Sequence, residues 1–205
     1  MSARERVFIV DDEAPVRRGL TRLLRAAGLE ATAFESPEAF LHELPADATG
    51  CVILDLSMPR LDGLALQREL ASRGCSLPIV FLTGRADVPQ SVQAMKGGAA
   101  DFLTKPVDDE VLLSAIRQAL DADRSGREAR SETDAVRHRL AALTTREREV
   151  LAGVVDGKLN KQIGGELGIT EKTVKVHRGR VMEKMAAGSV AELVHLAARA
   201  GVRRA

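Results

Sequence analysis

The sequence predicts a doubly wound α/β domain around a five-stranded parallel sheet, followed by a small all-α domain. Apolar runs at Val7 to Val10, Ala31 to Phe34, Cys51 to Leu54, Ile79 to Leu82 and Ala100 to Leu103 alternate with helix-period segments, the order that builds a parallel sheet with helices on both faces. Strand signals then cease and capped helical segments take over. Charge changes sign with them: through Arg124 the chain carries 14 Lys+Arg against 19 Asp+Glu, and from Ser125 onward 16 against 10. An acidic half therefore precedes a basic one. These shifts place an α/β domain over 1–121, a partly helical linker over 122–143 and the all-α domain over 144–205.

The first helix declares itself through Val16, Leu20, Leu23, Leu24 and Ala27, closed by Gly28, the spacing of one buried helical face. The fifth repeats that period through Val111, Leu112, Ala115, Ile116, Ala119 and Leu120. From Asp121 to Leu143 apolar content falls and charge rises, with Ser125-Gly126 as the strong breaker, so this stretch reads as a linker that extends the fifth helix. Beyond it, Thr144 stands three residues before Glu147, and Ser189 three before Glu192. Both pairs have the spacing of a capping box. Four helices are expected from about Thr145 to Ala200. Ile163, Leu167, Ile169, Val174, Val181 and Met185 form their core, and the turn at Gly168 separates the members of a helix-turn-helix.

Composition narrows the classes. At 45% hydrophobic and 29% charged the chain has the balance of a soluble globular protein. Its start, Met1-Ser2-Ala3-Arg4-Glu5-Arg6, lacks an apolar signal region. No apolar stretch approaches the roughly 18 residues of a membrane span, so a cytoplasmic protein with no membrane partner is expected. Cys51 and Cys75 lie apart without a neighbouring His, which makes neither a zinc site nor a disulfide framework.

Four apolar runs end in chemistry: Val10-Asp11-Asp12, Leu54-Asp55, Leu82-Thr83-Gly84 and Leu103-Thr104-Lys105-Pro106. In an open parallel sheet the carboxyl ends of the strands converge on one crevice, so three carboxylates, a hydroxyl and an ammonium meet there. That set suits a divalent cation and a phosphoryl group on a carboxylate. Mg2+ favours oxygen donors and keeps several waters, and an aspartyl phosphate needs both the metal and a second cation for the remaining phosphoryl oxygens. Alone, Asp after a strand is a common turn or cap residue, and Lys-Pro means little. All four ends in order change that balance.

These residues resemble the receiver domain of bacterial two-component response regulators, flavodoxin-like in fold, and Asp87-Val88-Pro89 to Lys96 with Gly98 to Leu103 is similar to the FixJ type. The resemblance implies Asp55 as phosphoacceptor and Asp11, Asp12, Asp55 and the Ser57 carbonyl as Mg2+ ligands. It further implies Thr83, Phe102 and Lys105 as switch and phosphate-binding residues, with a cis Lys105-Pro106 bond. Phe102 stands where Tyr is frequent, so any switching is signalled by packing without a phenol hydrogen bond. Ser57, Gly84 and Arg85 occupy positions that tune access of water to the phosphoryl group, and self-dephosphorylation is the only enzyme-like activity expected.

In the basic half, Lys172 to Lys184 holds five basic residues and one acid, Glu183. A stripe of this kind alone is more often a solvated face. Joined to the turn, caps and core positions, it reads as a helix that lies in a DNA major groove. Thr173-Val174-Lys175-Val176-His177 resembles the LuxR/NarL-type helix-turn-helix. That implies Lys175 and Val176 in the groove, His177 near the backbone, and Lys172, Arg178 and Arg180 as phosphate or base contacts, with Thr173 among the DNA-facing residues. Gly179 departs from relatives that place a side chain there. Gly164 has a reason to be small where two helices approach; Gly165 has none visible in the sequence.

Together the resemblances imply a transcriptional regulator of the FixJ/NarL kind. A sensor histidine kinase phosphorylates it, which alters dimerisation or frees the DNA-binding domain at promoter DNA. RNA polymerase is a further expected partner. Val88, Val92 and Met95 share one face of the fourth helix, open to two readings: a homodimer contact of the phosphorylated form, or core. The alternatives are a constitutive DNA-binding protein with a docking-only receiver, and a Mg2+-dependent phosphatase or phosphotransferase. The second is opposed by the absence of an acid two residues beyond Asp55 and of any capping insertion.

Overall fold

The computed structural model describes residues 5–84 and 88–202. The first compact unit, Met1–Gly126, alternates β1 (Arg6–Val10), α1 (Ala14–Ala26), β2 (Glu30–Phe34), α2 (Pro37–Glu43), β3 (Gly50–Leu54), α3 (Gly63–Ser72), β4 (Ile79–Thr83), α4 (Val88–Lys96) and β5 (Asp101–Thr104). Helix α5 (Asp109–Ala141) begins in this unit and ends in the second, Arg127–Ala205, where α6 (Thr145–Val155), α7 (Asn160–Leu167), α8 (Glu171–Met185) and α9 (Val190–Arg199) follow.

The sheet is parallel throughout, in the order β2-β1-β3-β4-β5. Because side chains alternate across a strand, Val7 and Ile9 pack toward Leu20, Leu24, Leu112, Ile116 and Ala119 on one face. Phe8 and Val10 pack toward Phe40, Leu66, Leu70 and Ala94 on the other. The central strands β3 and β4 are buried at every position, and the edges β2 and β5 are not, as expected where helices cover both faces but not the rims. The edges also moved relative to the expected runs: β2 begins at exposed Glu30, and β5 runs from Asp101 to exposed Thr104.

At the amino edge, Gly50 has φ +129° and a Cβ there would lie 1.8 Å from the Arg6 carbonyl oxygen, so the start of β3 requires glycine. Its N–H donates to buried Asp123 Oδ2 at 3.0 Å, tying α5 to β3. Next to it Cys51 is fully buried, and that burial, reinforced by Asp123 and Glu5, pushes its thiol up to about 12. Both cysteines are free.

The second unit closes over Val150, Leu151, Val154, Ile163, Val174, Val181, Met185 and Leu193, with Val136 of α5 among them. Leu167 and Ile169 pack at its margin. The Thr144 box forms in full: Thr144 Oγ1 accepts from the Glu147 amide at 3.3 Å, and Glu147 accepts from the Thr144 amide at 2.9 Å. The second expected box forms by half. Ser189 Oγ accepts from the Glu192 amide at 3.1 Å, but the Glu192 carboxylate reaches back to the Gly188 amide at 2.8 Å.

Glu147 is 2% exposed and also receives Lys184 Nζ at 2.7 Å, which joins α6 to α8. Hydrogen bonds from Lys184 and from the Thr144 amide hold its carboxyl at about 2, below the usual 4.5. A depressed carboxyl contributes stability that is complete above its unfolded value and is lost as pH falls through its folded one. The advantage of the wild type over Glu147→Gln is therefore expected above about pH 4.5 and should vanish toward pH 2. Amide hydrogen exchange in α6 and α8 across that range checks it; a constant difference between the two proteins would refute it.

Candidate phosphoryl and DNA sites

Backbone register builds the first site. Val10 lies opposite Leu54, and Thr83 opposite Thr104, so the next residue on each strand emerges at the carboxyl edge. The Asp55 amide donates to the Val10 carbonyl at 2.9 Å, Asp11 to Phe34 at 3.2 Å, and Lys105 to Thr83 at 2.8 Å. Each ladder thus continues one bond past its strand and fixes the Cα of a functional residue.

The side chains then meet. Lys105 Nζ donates to Asp11 Oδ2 at 2.7 Å and to Asp55 Oδ1 at 3.2 Å, with Glu13 Oε1 at 3.9 Å. The remaining carboxylate oxygens are held from behind, Asp11 Oδ1 by the Glu13 amide and Asp55 Oδ2 by the Ser57 amide, both at 2.8 Å. Asp11 and Asp55 are 2% and 6% exposed; buried carboxylates require such partners. Burial alone would lower the Lys105 ammonium, but hydrogen bonds and charge from Asp11, then Asp55, raise it above 10.5.

Asp12 is exposed beside this pair. Among the described residues no group of three or more His, Cys, Asp or Glu side chains converges as a metal cluster. Lys105 instead bridges the two carboxylates. Thr83 is wholly buried, Gly84 is exposed with open space around its α-carbon, and Ser57 is exposed. Phe102 is half-buried, its ring 5.9 Å from that of buried Phe81. The Lys105-Pro106 bond is cis. Arg85 lies outside the described residues. Val88, Val92 and Met95 are 76%, 45% and 48% exposed, so of their two readings the core one falls.

Two features of this site were not visible beforehand. Arg17 Nη1 donates to the Asp11 carbonyl at 2.7 Å and steadies the acidic pair from α1. Gly63, the first residue of α3, passes so close that a Cβ would lie 2.5 Å from the Asp55 carbonyl oxygen.

The second site is the face of α8. Thr170 caps it, accepting from the Thr173 amide at 3.2 Å, and Val174, Val181 and Met185 anchor it in the core. That leaves Lys172, Lys175, Val176 and Arg180 exposed and Thr173 and His177 half-buried. Val176 is 49% exposed, an apolar side chain offered to solvent in a basic stripe. Lys175 lies 4.0 Å from Glu171. Arg178 is half-buried and donates to Asn160 Oδ1 of α7 at 3.0 Å. His177 Nδ1 is buried without a hydrogen-bond partner among the described residues.

Comparison with known proteins agrees with both halves. Residues 7–117 match the response regulator receiver domain and residues 141–197 match the bacterial regulatory proteins of the luxR family. Nodulation protein W of Bradyrhizobium diazoefficiens is 43% identical over 98% of this chain and 88% of its own length. The transcriptional regulatory protein FixJ of Azorhizobium caulinodans is 45% identical over 96% and 93%. Among solved structures, response regulator StyR superposes with TM-score 0.87 at 44% identity, covering 96% of this chain and all of that one. Full-length FixJ from B. japonicum gives 0.60 at 40% identity over 98% of both chains. The chain belongs to the two-component response regulators that join a receiver domain to a LuxR-type DNA-binding domain. Such a protein is a phosphorylation-dependent transcription factor without a catalytic turnover of its own; neither the docking-only nor the phosphatase reading is favoured. The family implies a histidine kinase and promoter DNA as partners, and receiver domains bind Mg2+ where they are phosphorylated. No helix among the described residues is long and apolar enough to cross a membrane.

Proposed function

We propose that Asp55 is the phosphoacceptor. A kinase phosphohistidine gives up its N–P bond as an Asp55 oxygen forms the new O–P bond, and α8 carries the DNA contacts. The observation that supports this most is the buried pair Asp11 and Asp55 bridged by Lys105 at 2.7 and 3.2 Å. It puts a carboxylate and a fixed cation where a phosphoryl group needs both. Asp11, Asp12, Asp55 and the Ser57 carbonyl offer hard oxygen donors that suit Mg2+, which when bound screens phosphoryl charge. Lys105 then exchanges a carboxylate oxygen for a phosphoryl oxygen, Thr83 turns its hydroxyl toward the same group, and Phe102 repacks against Phe81. Ser57, Gly84 and Arg85 set how fast water hydrolyses the phosphoryl group.

Exposed Val88, Val92 and Met95 form the apolar face for a homodimer of the phosphorylated protein. Lys172, Thr173, Lys175, Val176, His177, Arg178 and Arg180 engage promoter DNA, and RNA polymerase is recruited there, in the cytoplasm. The domains divide at 1–121 and 144–205, joined through 122–143.

Intact-protein mass after incubation with acetyl phosphate and Mg2+ tests the first step. One adduct of about 80 Da is expected in the wild type and none in Asp55→Asn. An equal adduct in the variant would remove Asp55 from the role.

A further inference from the structure

Asn160 is not among the residues assigned to DNA, yet it is the first residue of α7 and the partner of Arg178. Arg178 Nη1 donates to Asn160 Oδ1 at 3.0 Å across 18 residues of sequence, and Arg178 is half-buried. Both residues line one groove with Lys158 and Lys161. A free arginine loses rotamer freedom when it grips a ligand. Here one donor of the planar fork is already committed to a carboxamide on the neighbouring helix, and the fork's geometry then fixes where its other N–H donors point. The same bond ties the start of α7 to the middle of α8.

We propose that Asn160 is a positioning residue for DNA binding: it pre-orients Arg178, so that this arginine contributes to DNA affinity only as half of an Asn160–Arg178 pair. The proposal rests on α8 being the DNA-contacting helix.

The test uses the full chain and a duplex selected by the wild type from a randomised pool, with affinity measured over a range of salt. Asn160→Ala is expected to weaken binding about tenfold, the value of one hydrogen bond to a charged group. It should leave the salt slope unchanged, because no charge is lost. Arg178→Ala weakens binding at least as much and flattens the slope by about 0.9. In the Arg178→Ala background, Asn160→Ala adds nothing, whereas a purely structural role for Asn160 would persist there. If Asn160→Ala fails to fold, Arg178→Lys keeps the charge and loses the fork, and the same tenfold loss at unchanged slope is expected. Wild-type affinity in Asn160→Ala, or costs that multiply in the double variant, overturns the pairing. Lys175→Ala separates the levels. If it weakens binding while Asn160→Ala does not, positioning alone is wrong; if it too binds as wild type, the groove reading fails and the proposal with it.

Discussion

Lys105→Met is expected to destabilise the first unit by about 3 kcal/mol at neutral pH, the cost of breaking a buried ion pair by removing one partner, and to make its melting temperature depend on Mg2+. The Asp11 and Asp55 side chains are 3% and 8% exposed, and Lys105 stands 2.7 and 3.2 Å from them. Without the ammonium two buried carboxylates are left without their cation. Mg2+ held by these oxygens would supply the missing charge, so added Mg2+ should recover much of the loss in the variant and change the wild type less. In the wild type Lys105 has a raised value, so its contribution is complete below its ordinary 10.5 and lost only as pH rises through the raised one. Thermal melts at pH 7, with EDTA or Mg2+, decide the matter. Equal melting of the two proteins at pH 7 in EDTA would show that the bridge carries no stability.

What could be seen of this crevice in advance follows from what a strand end reveals. The apolar runs before Asp11, Asp55 and Thr83 are buried on both faces or nearly so, and such runs stand out in a sequence. Edge strands do not, and there the expected bounds slipped to Glu30 and Thr104. The contacts that hold the site from outside were hidden for another reason. Arg17 grips a backbone carbonyl, Gly63 yields space, and neither act leaves a pattern in residue type. Lys184 and Glu147 meet across 37 residues and Arg178 and Asn160 across 18; the caps at Thr144 and Ser189 are local and were readable. The middle of α5 is a third case: its charge let it be read as a linker extending the fifth helix. From Arg124 to Glu132, however, its only hydrophobic residue is Ala129, so no periodicity showed that the helix passes unbroken through Ser125-Gly126, the expected breaker, to Ala141.

The two adjacent glycines of α7 should respond to the same substitution with opposite signs. A Cβ on Gly164 would lie 2.8 Å from the Ile169 carbonyl oxygen and 3.6 Å from the Glu171 amide nitrogen and Val174 Cγ2. The nearest obstacle is backbone, and the Ile169 amide is itself bonded to the Gly164 carbonyl at 3.0 Å, so the turn cannot retreat without giving up the contact that closes α7. Gly164→Ala is therefore expected to cost about 2 kcal/mol, as overpacking does, and to weaken DNA binding because the displaced turn carries the start of α8. Gly165 has nothing within 4 Å of its would-be Cβ and an ordinary helical φ. Its replacement by Ala should stabilise the unit by up to about 1 kcal/mol, the helix-propensity difference alone, with DNA affinity unchanged. Nothing in the structure explains why glycine stands at 165. Denaturant unfolding of the two variants, read with their affinities for one duplex, checks both signs. A destabilised Gly165→Ala would refute the propensity argument, and a stabilised one with weakened duplex affinity would mean that the DNA, not this chain, needs the bare backbone there.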